Sequence, residues 1–436
     1  MLKYKLLFLL LLYSTVSTAQ SGFHCNTTKD KIVIQAQFIN NLVIIPLEIN
    51  GVKLNFLLDT GVKETVLFSL EDSNSVNFSN IESIEITGFG KKDPFLGYRS
   101  VDNKVSINGY TDENHTLYLV LDENINISSQ LGVTVNGIIG YYFFENYPIQ
   151  IDYQKHQVIV YNTVSKKWKK KLETKYTSIP LTLDKGKPYI AIEKINDVVL
   201  DTSKNNFLVD TGNGDAFWVF HHAEIKIPEK TISDYLGKGA SGEVYGLRGR
   251  LKEVKLGAYN INEPIVAFPD SSYIQNINSL SSRKGSVGGE LLSRFNLVFD
   301  YQKEKLYVKP NKKYQEPFQY NMSGIEIGHQ GLEWVQEKIQ SNLSNSKGEK
   351  VIQDFSYKFD LKPIFVITAI RPNSPAEKAG IQKGDIIKSI NGTRCYNYSL
   401  QKINEMLKEE DGKTIRLEIN RKNIELEINF KLEKIL

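Results

Sequence analysis

The sequence predicts a mainly β, two-lobed fold built from an internal repeat and followed by a small α+β unit. Three observations carry this. Short alternating apolar stretches, broken by Gly, Asn and Asp, fill residues 32 to 160 with little helical periodicity. A set of landmarks then returns in the same order in the next 150 residues or so. Beyond residue 311 the composition turns polar, and a new pattern of strand, capped helix, strand and helix begins.

The repeat is anchored on Phe56-Leu57-Leu58-Asp59-Thr60-Gly61, which comes back as Phe207-Leu208-Val209-Asp210-Thr211-Gly212. In each copy an apolar strand ends in a carboxylate, a small hydroxyl and a glycine, so an acid sits at a strand terminus where the backbone turns sharply. Leu42 to Ile49 and Lys53 to Leu58 are joined by Asn50-Gly51, a hairpin signal. Asn136-Gly137-Ile138-Ile139-Gly140 answers Lys284-Gly285-Ser286-Val287-Gly288, and each leads into a short helical turn. Ile151-Asp152-Tyr153 answers Phe299-Asp300-Tyr301, and both lead into a closing strand. Asp59 to Asp210 is 151 residues, while Gly140 to Gly288 and Asp152 to Asp300 are 148 each. Matched order at matched spacing places the two acids face to face.

Between acid and closing landmark each half also holds a Gly-rich stretch: Gly88-Phe89-Gly90 through Tyr98, and Gly237 through Gly246. The second matches the Gly-rich nucleotide loop of protein kinases, but no lysine-bearing strand, catalytic loop or metal-binding Asp-Phe-Gly follows it. Its position past Asp210 parallels that of Gly88 past Asp59, and both read as hairpins over the acids.

On these residues, the stretch from about 30 to 310 resembles a two-lobed aspartic protease of the retropepsin-like class. The resemblance implies Asp59 and Asp210 as the catalytic pair, with Thr60, Gly61, Thr211 and Gly212 supporting the dyad. Gly140 and Gly288 would close the loop behind each acid. Phe89 and Tyr98 on one hairpin, and Ser241 and Tyr245 on the other, are the candidate substrate-binding residues. Val62 and Asn213 depart from the Ala or Ser usual after the glycine, and Ser286 weakens the second apolar pair. The C-terminal pattern, Pro372-Asn373-Ser374-Pro375-Ala376 through Gly380-Ile381, then Gly384-Asp385-Ile386-Ile387 and Asn391-Gly392, resembles a bacterial PDZ domain. Such domains add an extended peptide to a sheet edge. The expected boundaries are a signal peptide at 1–20, lobes at 26–172 and 173–312, and a PDZ-like unit at 318–436 with an insertion around 328–358.

Two carboxylates sharing one proton supply both the base that activates water and the acid that protonates a carbonyl oxygen. At about 3 Å and an effective dielectric near 20, repulsion between two charged carboxylates is on the order of 5 kcal/mol, so one proton stays on the pair. The expected activity is that of an aspartic endopeptidase acting on protein or peptide substrates. The alternative is a catalytically inactive, protease-like peptide-binding protein. Because both acids lie in one chain, a monomer is expected. No cofactor and no metal are implied.

Other chemistries find less support. His221-His222, with Glu224 near, lacks a recognisable metal-ligand spacing. Ser241 has no assignable base. The run Lys166 to Lys171, interrupted by Trp168, reads as a solvated linker at the lobe boundary. The net charge of +4 includes Lys3 and Lys5 of the leader, leaving about +2, which argues against nucleic acid as a partner. The N-terminus reads as a secretory signal peptide: Lys3, Lys5, the apolar run from Leu6 to Tyr13, then small residues to Ala19. Export to periplasm, cell surface or medium is therefore expected, without a stable membrane span. The two cysteines, Cys25 and Cys395, do not make a disulfide framework.

Overall fold

The computed structural model describes residues 22–70, 75–88, 91–120, 127–163, 165–203, 205–220, 225–239, 242–271, 283–344 and 350–436. The predicted leader, Phe89, Ser241 and the His221-His222 pair lie outside these residues.

The molecule is mainly β, and its two lobes are built on the same plan. In the first, strand Val52–Leu58 runs antiparallel to Leu42–Ile49 and parallel to Gly137–Ile139. In the second, Asn206–Asp210 runs antiparallel to Lys187–Ala191 and parallel to Arg283–Gly288. A parallel neighbour needs a long connection, and in each lobe that connection carries a hairpin, Ile81–Gly88 with Lys91–Ile107 or Thr231–Gly239 with Gly242–Arg250. Asn50 and Gly51 both take positive φ, as the predicted tight hairpin requires. The two predicted helical turns are Tyr141–Phe144 and Gly289–Leu292.

A six-stranded sheet shared by both lobes joins them. At its centre Ile149–Asp152 pairs antiparallel with Phe295–Asp300, with Gln150 opposite Val298. These two residues are 148 apart, the repeat offset, so a pseudo-twofold axis passes through this pair. The core runs continuously through it: Ile149, Ile151, Leu297 and Phe299 are fully buried.

The segment after Asn311 is polar in sequence but pinned in space. Arg294, itself buried, donates to the carbonyls of Lys313, Glu316 and Pro317, and its guanidinium stacks 3.5 Å from the ring centroid of Phe318. Phe318, Tyr320 and Met322 are buried just beyond. The Lys166–Lys175 stretch is a helix capped by Ser165, with Leu172 as its buried anchor.

In the C-terminal unit, Ser374 caps the short helix Pro375–Lys378 and Ser399 caps Leu400–Met406. Strands Thr414–Arg421 and Ile424–Lys431 close its sheet. The stretch expected as an insertion is the outer part of one long hairpin, Ile325–Ser344 with Lys350–Ile370, paired in nearly continuous register. Cross-strand pairing holds it, and its side chains Leu332, Trp334 and Tyr357 are exposed. Among the described residues no helix is long and apolar enough to cross a membrane.

Candidate active site

Each acid closes a strand held on both sides, so neither can drift without unpairing a sheet. The Asp59 N–H donates to the Ile139 carbonyl at 2.9 Å. Thr60 and Thr211 lie across the lobe interface, both fully buried. The Thr60 N–H donates to Thr211 Oγ1 at 3.0 Å, and the Thr211 N–H donates to Thr60 Oγ1 at 3.1 Å. Their hydroxyls donate onward to the opposite strand, Thr60 to the Val209 carbonyl and Thr211 to the Leu58 carbonyl, at 2.5 and 2.7 Å. Both hydroxyls and both N–H groups of this buried crossing have partners, which is what makes it rigid.

The glycines allow the carboxylates to approach. A Cβ on Gly212 would overlap the Asp59 carboxylate, and one on Gly61 would fall 2.9 Å from Asp210 Oδ1. In place of side chains they present N–H groups: Gly61 donates to Asp59 Oδ1 at 2.7 Å and Gly212 to Asp210 Oδ1 at 3.1 Å. Gly140 and Gly288 sit tight behind the acid loops, where a Cβ would strike the carbonyls of Val62 and Asn213 respectively. Those same carbonyls accept from Tyr141 N–H at 3.1 Å and Gly289 N–H at 2.6 Å. The unusual residues after the glycines thus hold the loops through their backbones, and Asn213 adds a side-chain bond to Asp215 N–H at 3.0 Å.

The two carboxylates converge inside this frame: a Cβ on Gly61 would stand 3.0 Å from Asp59 Oδ1 and 2.9 Å from Asp210 Oδ1. Burial, and next the charge of Asp210, raise the Asp59 carboxyl far above the ordinary range. Burial also raises Asp210, and there Arg283, the Gly212 N–H and Lys187 oppose it. The pair therefore retains a proton at pH values where an exposed carboxylate has lost its own.

Lys187 and Arg283 are site residues that the sequence reading passed over. Both come from strands flanking Asp210 and act electrostatically on that acid. Superposing the two repeats would have flagged them, since they stand where the first lobe has Leu42 and Val135. The hairpin tip at Lys185-Gly186 rests on Lys63 and Tyr141 of the first lobe. Its counterpart, Asn40-Asn41, rests on the second lobe, with Asn41 Nδ2 donating to the Gly214 carbonyl at 3.2 Å.

Tyr98 lies opposite Ser83 on the first hairpin and packs, half-buried, against the main core. Tyr245 lies opposite Tyr235 on the second, is 46% exposed, and donates to Glu243 Oε2 at 2.8 Å. The two tyrosines are not repeat equivalents. Gly97 and Gly246, which each admit an apolar side chain from the paired strand, are the matching positions.

A second constellation has the connectivity of a hydrolytic triad. His115 Nδ1 lies 2.7 Å from Asp112 Oδ2, and its Nε2 lies 2.7 Å from Thr65 Oγ1. Thr65 is fully buried and His115 nearly so, with Phe23 and Tyr142 against the ring, so no substrate reaches the hydroxyl. The arrangement satisfies three buried polar groups and ties Thr65–Leu67 to Tyr110–Leu119.

The C-terminal unit docks against both lobes. Arg371 reaches Asp234 of the second hairpin at 3.6 Å, and Lys383 reaches Glu243 at 3.6 Å. Leu400 packs over Gly132 of the first lobe. Asp234 also receives Arg248 Nε at 2.9 Å, and Arg248 in turn binds Asp215 at 2.8 Å. A charged relay thus runs from the acid loop through the hairpin to the C-terminal unit.

Comparison with known proteins agrees with this architecture. Residues 45–143 match the family model for an aspartyl protease, and residues 366–421 match that for a PDZ domain. Over 70 residues, 16% of this chain, the sequence is 36% identical to a probable CtpA-like serine protease of Staphylococcus haemolyticus (strain JCSC1435). That match spans 14% of the relative's length. The aspartyl-protease match includes Asp59 and Gly140, and the pseudo-twofold arrangement supplies the second acid from beyond it. The chain carries a retropepsin-like aspartyl protease domain and a C-terminal PDZ domain.

Proposed function

We propose that the protein is an exported aspartic endopeptidase in which Asp59 and Asp210 act as one proton-sharing dyad. The observation that carries this reading is the reciprocal packing of each acid loop's glycine against the other lobe's carboxylate. The ionised partner takes a proton from a water molecule as its oxygen attacks the peptide carbonyl, and the protonated partner gives its proton to the carbonyl oxygen. Collapse of the tetrahedral diol then breaks the C–N bond, with the dyad returning a proton to the leaving amine. The hairpins over the acids cover the substrate, and the PDZ domain, tied to the second hairpin through Arg371 and Lys383, recruits peptides or gates the cleft. Both acids come from one chain, so the active unit is a monomer.

The test is cleavage of a mixed peptide library from pH 3 to 8 by the mature protein and by Asp59→Asn and Asp210→Asn variants. Cleavage with a bell-shaped pH profile, lost in either variant, supports the reading. Cleavage that survives in both variants overturns it, and peptide binding without cleavage at any pH identifies a binding protein instead. The N-terminal residue of the secreted product tests export, with cleavage expected near Ala19 or Gln20.

A further inference from the structure

The pseudo-twofold makes the two walls beside the dyad directly comparable, and they differ in chemistry. In the first lobe Leu57 pairs with Ile44 on one side and Ile138 on the other. In the second, Leu208 pairs with Tyr189 and Ser286. This register makes Ile138 the counterpart of Ser286, and two residues before Ile44 and Tyr189 it makes Leu42 the counterpart of Lys187. Three residues before Ile138 and Ser286 stand Val135 and Arg283.

On the first lobe these positions form one apolar surface. Leu42, Leu57, Val135 and Ile138 cluster with Ile84 and Ile86 of the hairpin above, so this surface is the wall between acid strand and hairpin. On the second lobe the matching wall holds Lys187, Arg283 and Ser286. The Arg283 guanidinium lies along it, donating to Ser286 Oγ at 2.9 Å and to the Gly285 carbonyl at 3.1 Å, over the ring of Phe220. The ammonium of the half-buried Lys187 makes no hydrogen bond or ion pair among the described residues, and Asp184, Arg283 and the dyad are the charges that act on it. Asp234, in the position of Ile84, is neutralised by Arg248. Lys187 and Arg283, carried on the two strands that flank the Asp210 strand, act on each other as like charges, and a dyad sharing one proton offers them a single negative charge. An anionic group entering the cleft there would relieve the repulsion.

We propose that the cleft selects peptides with an acidic side chain against the second-lobe wall and an apolar side chain against the first-lobe wall, Lys187 recognising the acid with Arg283 in support. The proposal rests on the protease reading only for turnover; recognition can be measured without it.

The experiment uses the full-length Asp59→Asn protein and blocked peptides whose central pair is Leu with Glu or Leu with Gln, in both orders, together with a Gln peptide bearing a free C-terminal carboxylate. In one of the two orders, the Glu peptide is expected to bind about tenfold tighter than its Gln partner, the scale of one partly desolvated charge pair. Adding Lys187→Met should bring that ratio to about one, and Lys187→Arg should keep it; Lys187→Gln replaces the Met variant if thermal unfolding shows that variant to be misfolded. Equal affinities for Glu and Gln, or a preference that survives loss of Lys187, overturn the proposal. So does tight binding of the free carboxy terminus with no side-chain preference, which would make the wall a terminus reader. A wild-type protein that cuts none of these peptides while the Glu preference persists overturns the protease reading alone.

Discussion

Thr60 and Thr211 each accept a hydrogen bond from the other's backbone N–H, across the junction of two lobes that are 151 residues apart in the chain. The acids next to them inherit their separation from this crossing rather than from their own side chains.

Replacing Thr60 or Thr211 by Val removes a hydroxyl that both accepts from and donates to the opposite lobe, and strands a buried N–H and a buried carbonyl there. The expected loss is about 3 kcal/mol of stability, read as a lowered urea midpoint. Activity against a peptide substrate should fall further than stability accounts for, because the dyad loses its alignment.

Gly212→Ala inserts a methyl group where the Asp59 carboxylate lies. The protein should fold, since the rest of the acid loop is held by backbone bonds from Gly289 and Asp215. Cleavage is expected to drop by at least about a hundredfold, the order of effect of misplacing a catalytic group by about an ångström. Gly51→Ala, at a hairpin tip open to solvent, should leave cleavage unchanged and cost only the strain of a positive φ.

Burial and the charge of Asp210 raise Asp59 in the folded protein, so the native state binds more protons than the unfolded chain above the ordinary carboxyl range. The contribution is fully present below that range and is lost as pH rises through the folded value. Stability measured from pH 4 toward neutrality should therefore fall, and Asp59→Asn should flatten the part of that fall due to the dyad. A stability that rises with pH to the same degree in both proteins would contradict this.

Glu326 makes the same kind of statement at the docking surface. Burial, then the charge of Asp234, push its carboxyl up to about 7. Its contribution is complete below the ordinary carboxyl range and disappears as pH passes through 7. Protection of the Ile325–Ile327 amides, after correction for the intrinsic rise of exchange with pH, should fall between about pH 5 and 7 in the wild type and lose that dependence in Glu326→Gln.

Arg248→Leu leaves Asp215 and Asp234 facing one another without their cation. The loss should be about 3 to 5 kcal/mol, as for a broken buried pair. Because Asp234 also meets Arg371, the double variant with Arg371→Leu should lose less than the sum of the single losses.

The amino-acid sequence by itself determined the repeat, the two strand-end acids, the threonine and glycine beside each, and the capped helices of the C-terminal unit. These follow from local rules: alternation makes strands, Asn-Gly turns them, and a serine before Pro-Ala-Glu starts a helix. Only the tertiary structure decided what the repeat left unequal. Lys187 and Arg283 are ordinary surface types in sequence, and they become part of the site because the two strands flanking Asn206–Asp210 carry them to where their charges act on Asp210. The polar stretch after Asn311 is fixed by Arg294, a residue about twenty positions away whose carbonyl partners have no sequence signature. The long hairpin from Ile325 to Ile370 buries Ile325, Ile327, Phe365 and Ile367 at its base, whereas Leu332, Trp334, Tyr357 and Phe359 farther out are exposed, so apolar alternation there does not report a core. Periodicity reports which face of an element is buried, whereas what stands opposite that face is set by long-range register, and there the chemistry of this cleft was decided.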